Sequence, residues 1–181
     1  MRGASHRRRS LRLKPLPPAA WVALLLLALL ALRLFRAPAG PPPVPANGTT
    51  VRVERVVDGD TLLLAGGDRV RLIGVDTPET VRPDHPVEPL GPEASDFTRR
   101  LVEGREVRLE FDRERRDDFQ RLLAYVYSGD VFLNEELIRA GYSRAVTRFP
   151  YSEAMKRRFR TAEAEARAAM RGLWALEGAA R

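Results

Sequence analysis

Residues 51–75 read VRVERVVDGDTLLLAGGDRVRLIGV. Val51 to Val56 alternates apolar and polar side chains, the period of a half-buried strand. Asp58-Gly59-Asp60 is turn chemistry. Thr61 to Ala65 makes a second strand, Gly66-Gly67-Asp68 a hairpin turn, and Arg69 to Val75 a third strand. Three short strands joined by tight turns already point to a small β-meander.

Downstream, the pattern adds helices and two more strands. Asp76 to Leu90 is a long polar loop, of the length that usually carries function. Gly91-Pro92 opens a helix with proline in its first turn, Ala94, Phe97 and Leu101 supply its apolar face, and Gly104 stops it. Arg105 to Phe111 is a fourth strand, Asp112 to Asp118 a charged loop, and Arg121 to Tyr127 a fifth strand. Ser128-Gly129-Asp130 turns the chain toward Val131-Phe132. Asn134 is suited to cap a short helix ending near Gly141. A last helix is expected from Ser152 to Arg171, with Met155, Phe159, Ala162, Ala166 and Ala169 on one face and Gly172 at its end. Leu173-Trp174 would tuck back onto the domain. Five short strands with interspersed helices predict an α+β domain, mainly β: a small Greek-key barrel with helices packed on it. No internal repeat is visible.

Upstream, the composition changes. The chain has 181 residues, no cysteine and a net charge of +7. Eight of its 31 basic residues, and no acid, fall in residues 1–36, which leaves 23 basic against 24 acidic residues beyond them. The domain is therefore no general polyanion sponge, and any nucleic-acid site on it must be local. The order of basic residues 1–18, hydrophobic residues 19–36 and a Pro/Ala/Gly linker 37–48 has the layout of a signal anchor or signal peptide, with an N-terminal hydrophobic helix. Positive charge before the apolar run leaves the N-terminus in the cytosol and places the domain, residues 49–176, outside it. A membrane anchor is slightly favoured over cleavage and secretion. Residues 177–181 form a tail.

The chemistry gathers in three places. Asp60 begins the second strand and Asp76 follows the third, so a hairpin brings them side by side. Two neighbouring carboxylates repel unless a cation sits between them. With only oxygen donors nearby, that cation would be hard, Ca²⁺ or Mg²⁺, and Thr77 could add its backbone carbonyl. Arg71 and Arg121 have planar forks suited to paired phosphate oxygens. Glu79 is a carboxylate fit to act as a general base. Singly, each fragment is more simply a turn, a loop or a surface ion pair; jointly they describe a phosphodiester site. His85, in the long loop, reads as an exposed loop residue.

The stretches Val57-Asp58-Gly59-Asp60-Thr61, Arg71 to Glu79, Gly91-Pro92-Glu93-Ala94-Ser95 and Leu123-Ala124-Tyr125-Val126-Tyr127 resemble, in order, the motifs of the staphylococcal nuclease-like (thermonuclease) family. The resemblance spans about residue 50 to Trp174. It implies a five-stranded OB-fold barrel with about three helices. It implies Asp60, Asp76 and the Thr77 carbonyl as calcium ligands, and Arg71, Glu79 and Arg121 as catalytic residues. It also implies endonucleolytic cleavage of single-stranded or unstructured DNA and RNA that leaves 3′-phosphate ends; the chain is expected to be monomeric. Three positions depart from the family pattern. Gln120 stands where a glycine commonly precedes the second arginine, Phe119 replaces a tyrosine, and Asp118 replaces a lysine. Phe149, a stacking surface, and Tyr151 are the candidate substrate contacts. Two other classes of function compete: a catalytically silent barrel that binds nucleic acid or a partner at the cell envelope, and a structural envelope protein.

Overall fold

The computed structural model describes residues 17–34, 43–80 and 87–179. The chain divides into two compact units, Met1–Pro42 and Pro43–Arg181. The first contains α1 (Pro18–Leu34), 17 residues rich in leucine and alanine. At 1.5 Å per residue it is about 25 Å long, short of a bilayer core of about 30 Å. Among the described residues no helix is long and apolar enough to cross a membrane. Residues 1–16 of the expected basic N-region and residues 37–42 of the linker lie outside the described residues.

The second unit is built on β1 (Thr49–Asp58), β2 (Thr61–Leu64), β3 (Arg69–Leu72), β4 (Glu106–Glu110), β5 (Leu122–Ser128) and the two-residue β6 (Val131–Phe132). The strands run in the order β3-β2-β1-β4-β5-β6, and a parallel pairing of β3 with β5 closes the first five into a barrel. β1 makes closure possible. Its first half, Thr49 to Arg52, pairs with β4, and its second half, Val53 to Asp58, pairs with β2. Two register irregularities in that second half bend the strand between its partners. The inward-facing side chains, Val53, Leu62, Leu64, Val70, Leu72, Val107, Leu109, Leu122, Ala124 and Val126, form the barrel core.

Four helices accompany the barrel among the described residues: α2 (Gly91–Val102), α3 (Leu133–Arg139), α4 (Glu153–Ala168) and α5 (Leu173–Ala179). The first three were expected. α5 extends the Leu173-Trp174 tuck into a helix of its own that takes in residues 177–179 of the expected tail, and Trp174 is buried. Phe159, Ala162 and Ala166 of α4 are fully buried, whereas Ala169 lies beyond the helix and is exposed.

Two expectations are corrected. Asn134 does not cap α3: the cap residue is Phe132, with no side-chain cap bond. Asn134 is instead a fully buried strut. Its Oδ1 accepts from Val126 N at 2.9 Å and its Nδ2 donates to Ile73 O at 2.9 Å. The third strand ends at Leu72 rather than Val75, because Gly74 turns the chain at φ +76°. A Cβ there would lie 2.5 Å from Phe159 Cε2, so both the backbone angle and the space demand glycine.

Candidate active site

The antiparallel pairing of β2 with β3 sets Thr61 opposite Arg71, and Leu72 N donates to Asp60 O at 3.0 Å. Asp60 and Arg71 thus meet at one end of the hairpin. Arg71 Nη1 lies 2.8 Å from Asp60 Oδ2 and donates to Val75 O at 2.7 Å; Nη2 lies 2.7 Å from Asp76 Oδ1. One guanidinium therefore joins two acids that are 16 positions apart in sequence, as the hairpin argument requires.

The two acids differ in surroundings. Asp60 is buried, and its Oδ2 also accepts from Thr77 N at 2.8 Å and from Thr77 Oγ1 at 3.1 Å. Its Oδ1 accepts from Thr61 Oγ1 at 3.0 Å. Burial pushes the Asp60 carboxyl above the usual carboxylate range, even though Arg71 and the Thr77 N–H pull the other way. Further positive charge at this carboxylate would therefore be stabilising. The Asp76 side chain is 57 % exposed, and its backbone is held by a hydrogen bond from Asp76 N to Ser143 Oγ at 2.8 Å.

These donors fit a hard cation. Asp60 is buried, Asp76 is open to solvent on the other side of the Arg71 fork, and both offer only oxygen. Among the described residues no group of three or more His, Cys, Asp or Glu side chains could hold a metal. A two-carboxylate set suits an ion that takes main-chain oxygen and keeps water, as Ca²⁺ and Mg²⁺ do, rather than a transition metal.

The loop that carries Thr77 and Glu79 is anchored by a residue the sequence had shown only as part of a turn. Asp58 Oδ1 accepts from Gly59 N at 2.8 Å, Thr80 Oγ1 at 2.7 Å and Ser95 Oγ at 3.1 Å. Thr98 Oγ1 donates to Gly59 O at 2.6 Å, so polar residues of α2 clip the Asp58-Gly59-Asp60 turn. The two ends of the loop also meet: Glu79 N donates to Glu88 Oε2 at 3.2 Å and Glu88 N to Glu79 O at 3.1 Å. Glu79 is partly exposed. His85 falls within Val81–Pro86, outside the described residues.

Arg121 stands just before β5. Its Nε donates to Asp117 Oδ2 at 2.7 Å. It lines a cavity of about 630 Å³ together with Arg71, Asp76, Phe119, Phe149 and Tyr151. Phe119 and Phe149 are 79 % and 52 % exposed. Tyr151 differs from them. It is 3 % exposed, its hydroxyl donates to Val146 O at 2.7 Å, and burial pushes its pKa up to about 12. Its hydroxyl is committed to the fold, so Tyr151 forms cavity wall.

The comparisons with known proteins agree with this fold. The family model described as "Staphylococcal nuclease homologue" matches residues 69–176. A thermonuclease of Staphylococcus hyicus is 42 % identical over 132 residues, covering 71 % of this chain and 78 % of its own. A thermonuclease of Staphylococcus intermedius is 40 % identical over 161 residues, covering 84 % and 95 %. This chain belongs to the staphylococcal nuclease family. Endonuclease YncB of Bacillus subtilis is similar over the same length, 37 % identical over 132 residues, with 71 % of this chain and 63 % of that protein covered.

Within this nuclease-family domain, the structure brings Asp60, Arg71, Asp76 and Thr77 into direct contact and sets Arg121 and Phe149 around the adjoining cavity. Four supporting residues had no site role in the sequence reading: Asp58 and Ser95, named there only within a turn or family-like stretches, and Ser143 and Asp117. Only Asp117 left a usable sign, an acid four positions before an arginine in a loop.

Proposed function

We propose that this domain is a Ca²⁺-dependent endonuclease that hydrolyses DNA and RNA and leaves 3′-phosphate ends. Family membership carries the nuclease activity; the metal, the residue roles and the product ends are inferred. The observation that carries them is the Arg71 fork shared by Asp60 and Asp76 on the wall of a cavity that also receives Arg121 and Phe149.

Asp60, Asp76 and the Thr77 carbonyl would hold the calcium ion, which supplies Lewis-acid polarisation of a phosphoryl oxygen. With positive charge supplied there, the Arg71 fork is available to phosphate. Arg71 and Arg121 donate hydrogen bonds to the non-bridging oxygens as negative charge builds up on phosphorus. Glu79 takes a proton from the attacking water. The new O–P bond forms as the bond to the 5′ oxygen breaks, and the leaving oxygen takes its proton from solvent. Phe149 offers a face on which an unstacked base can lie, which favours single strands. The leader, basic then apolar, supports delivery of the domain to the far side of a membrane, with its N-terminal segment as anchor or cleaved signal.

The test uses the unit from Pro43 to Arg181 with single-stranded DNA, with calcium or with a chelator. Cleavage should require the metal and yield 3′-phosphate termini, and Glu79→Ala should abolish it while the protein stays folded. Undiminished cleavage in chelator, or 5′-phosphate ends, would sink the proposal.

A further inference from the structure

The loop before β5 holds an arrangement aimed at one side chain. Asp117 Oδ1 accepts from Phe119 N at 3.0 Å and Arg121 N at 2.9 Å, while its Oδ2 takes the Arg121 Nε–H at 2.7 Å. The backbone closes the same turn: Asp117 N donates to Arg121 O at 3.0 Å, and Gln120 N to Asp117 O at 2.9 Å. Arg116 braces it from behind, with Nη1 donating to Gln120 O at 2.6 Å and Nη2 to Asp68 Oδ1 at 3.2 Å in the β2–β3 turn. The Phe119 ring lies 5.4 Å from the Arg121 guanidinium carbon.

We infer that Asp117 is a positioning residue that fixes the Arg121 guanidinium by its Nε edge and so presents the terminal fork to the cleaved phosphate. This rests on the assignment of Arg121 to the phosphate. A free arginine side chain samples many rotamers, and a fork already oriented does not lose that freedom in the transition state. A carboxylate on the wall of a polyanion site repels its substrate. Its presence here is repaid by orientation, because its two oxygens are divided between the turn and the guanidinium.

That division gives a selective variant. In Asp117→Asn, Oδ1 still accepts from Phe119 N and Arg121 N, but the amide nitrogen cannot accept the Nε–H. The full-length chain would be assayed on a single-stranded DNA oligonucleotide with calcium, as parent, Asp117→Asn, Arg121→Ala and the double variant. The expected result is a fall of about tenfold in kcat for Asp117→Asn, with KM changed by less than about twofold and no further loss when it is added to Arg121→Ala. An equal loss in the Arg121→Ala background would show a merely structural role and overturn the inference. Unchanged or faster turnover would overturn it too, the latter marking Asp117 as a restraint. If Arg121→Ala cleaves like the parent, the assignment of Arg121 is at fault and the inference falls with it. A readout on the parent protein covers a variant that fails to fold. The Arg121 Nε–H resonance, identified by its loss in Arg121→Lys, should exchange more slowly than those of exposed arginines; exchange as fast as theirs would end the proposal.

Discussion

Arg71 and Arg121 face one cavity, yet the chain secures them in opposite ways. Arg71 is embedded in β3 and gripped by its terminal nitrogens, between Asp60, Asp76 and the Val75 carbonyl. Arg121 stands at the end of a charged loop and is gripped by Nε, from Asp117. The first arrangement is rooted in a strand of the barrel, at the end of the β2–β3 hairpin, so its backbone cannot shift without moving the hairpin. The second is local to residues 116–121 and can vary while the barrel stays the same. The three positions where the motif resemblance is expected to break, Asp118, Phe119 and Gln120, all fall in the second region.

The largest expected effect tests this contrast directly. Arg71→Ala should lower kcat by about 10²–10³-fold, the loss of a preorganised donor. It should also lower stability in metal-free buffer by about 2–4 kcal/mol, because Asp60 stays buried without its guanidinium. Arg121→Ala should change stability by less than about 1 kcal/mol, since its partner is a loop carboxylate near the surface. Urea unfolding of both variants in chelator checks the difference. Equal destabilisation would erase the distinction between the two regions.

Gly74→Ala attacks the Arg71 side through its frame. The added methyl meets Phe159 Cε2 at 2.5 Å and Phe159 Cδ2 at 2.7 Å, on a backbone at φ +76°. Overpacking and the left-handed conformation together should cost about 2–3 kcal/mol. Calcium affinity should fall as well, because the same turn delivers Asp76 to Asp60. Isothermal titration of the folded fraction would show this, and unchanged affinity would mean that the acids do not depend on the turn.

Much of the Arg71 side was legible because a hairpin is a short-range object. Alternation and turn chemistry set β1 to β3, and two acids at adjacent hairpin ends have one place to meet. The supports of those acids were not legible. Ser143 reaches Asp76 across 67 positions, and Asn134 reaches Ile73 across 61. Neither polar residue shows from periodicity that it is buried. Ser95 and Thr98 occupy the inner face of α2, where an apolar pattern was sought, because the turn they serve has backbone and carboxylate groups that need donors. The packing of Tyr151 was hidden for the reverse reason. An aromatic residue beside Pro150 looks available, but only the packing of α4 shows that its ring lies against Phe159, 6.1 Å between centroids.

The loop that leads to Arg121 also ties down α4, and there pH is the probe. Asp112 Oδ2 accepts from Tyr125 Oη at 2.7 Å and from Ser152 N at 2.9 Å, next to the first turn of α4. Burial raises its pKa, but the Tyr125 hydroxyl and the Ser152 and Arg113 N–H groups outweigh it, so the carboxyl titrates below its ordinary value. A depressed carboxylate stabilises the fold above its unfolded pKa, and that contribution is lost as pH falls through the folded value. Asp112→Ala should therefore cost about 1–2 kcal/mol at neutral pH. The deficit should shrink as the parent is acidified below about pH 4. A deficit independent of pH would assign the effect to packing.

The smallest effect concerns the oddest residue. Gln120 sits at φ +63°, in the left-handed region that a side chain disfavours, where the motif resemblance implies a glycine. The left-handed angle is held here by a residue that carries a side chain. The retaining forces are visible: Asp117 closes the turn on one side and Arg116 holds the Gln120 carbonyl on the other. A left-handed non-glycine residue costs about 1–2 kcal/mol, and glycine gives back about 0.5–1 kcal/mol through the freedom of its unfolded chain. Gln120→Gly should thus stabilise the domain by about 0.5–1 kcal/mol, seen as a higher urea midpoint at unchanged slope. Made in Asp117→Asn, where the turn keeps its backbone contacts, the same substitution should give the same gain. A larger gain there would mean that the Arg121 contact itself had been bearing the strain, and the two arginines would then be secured in more similar ways than their partners suggest.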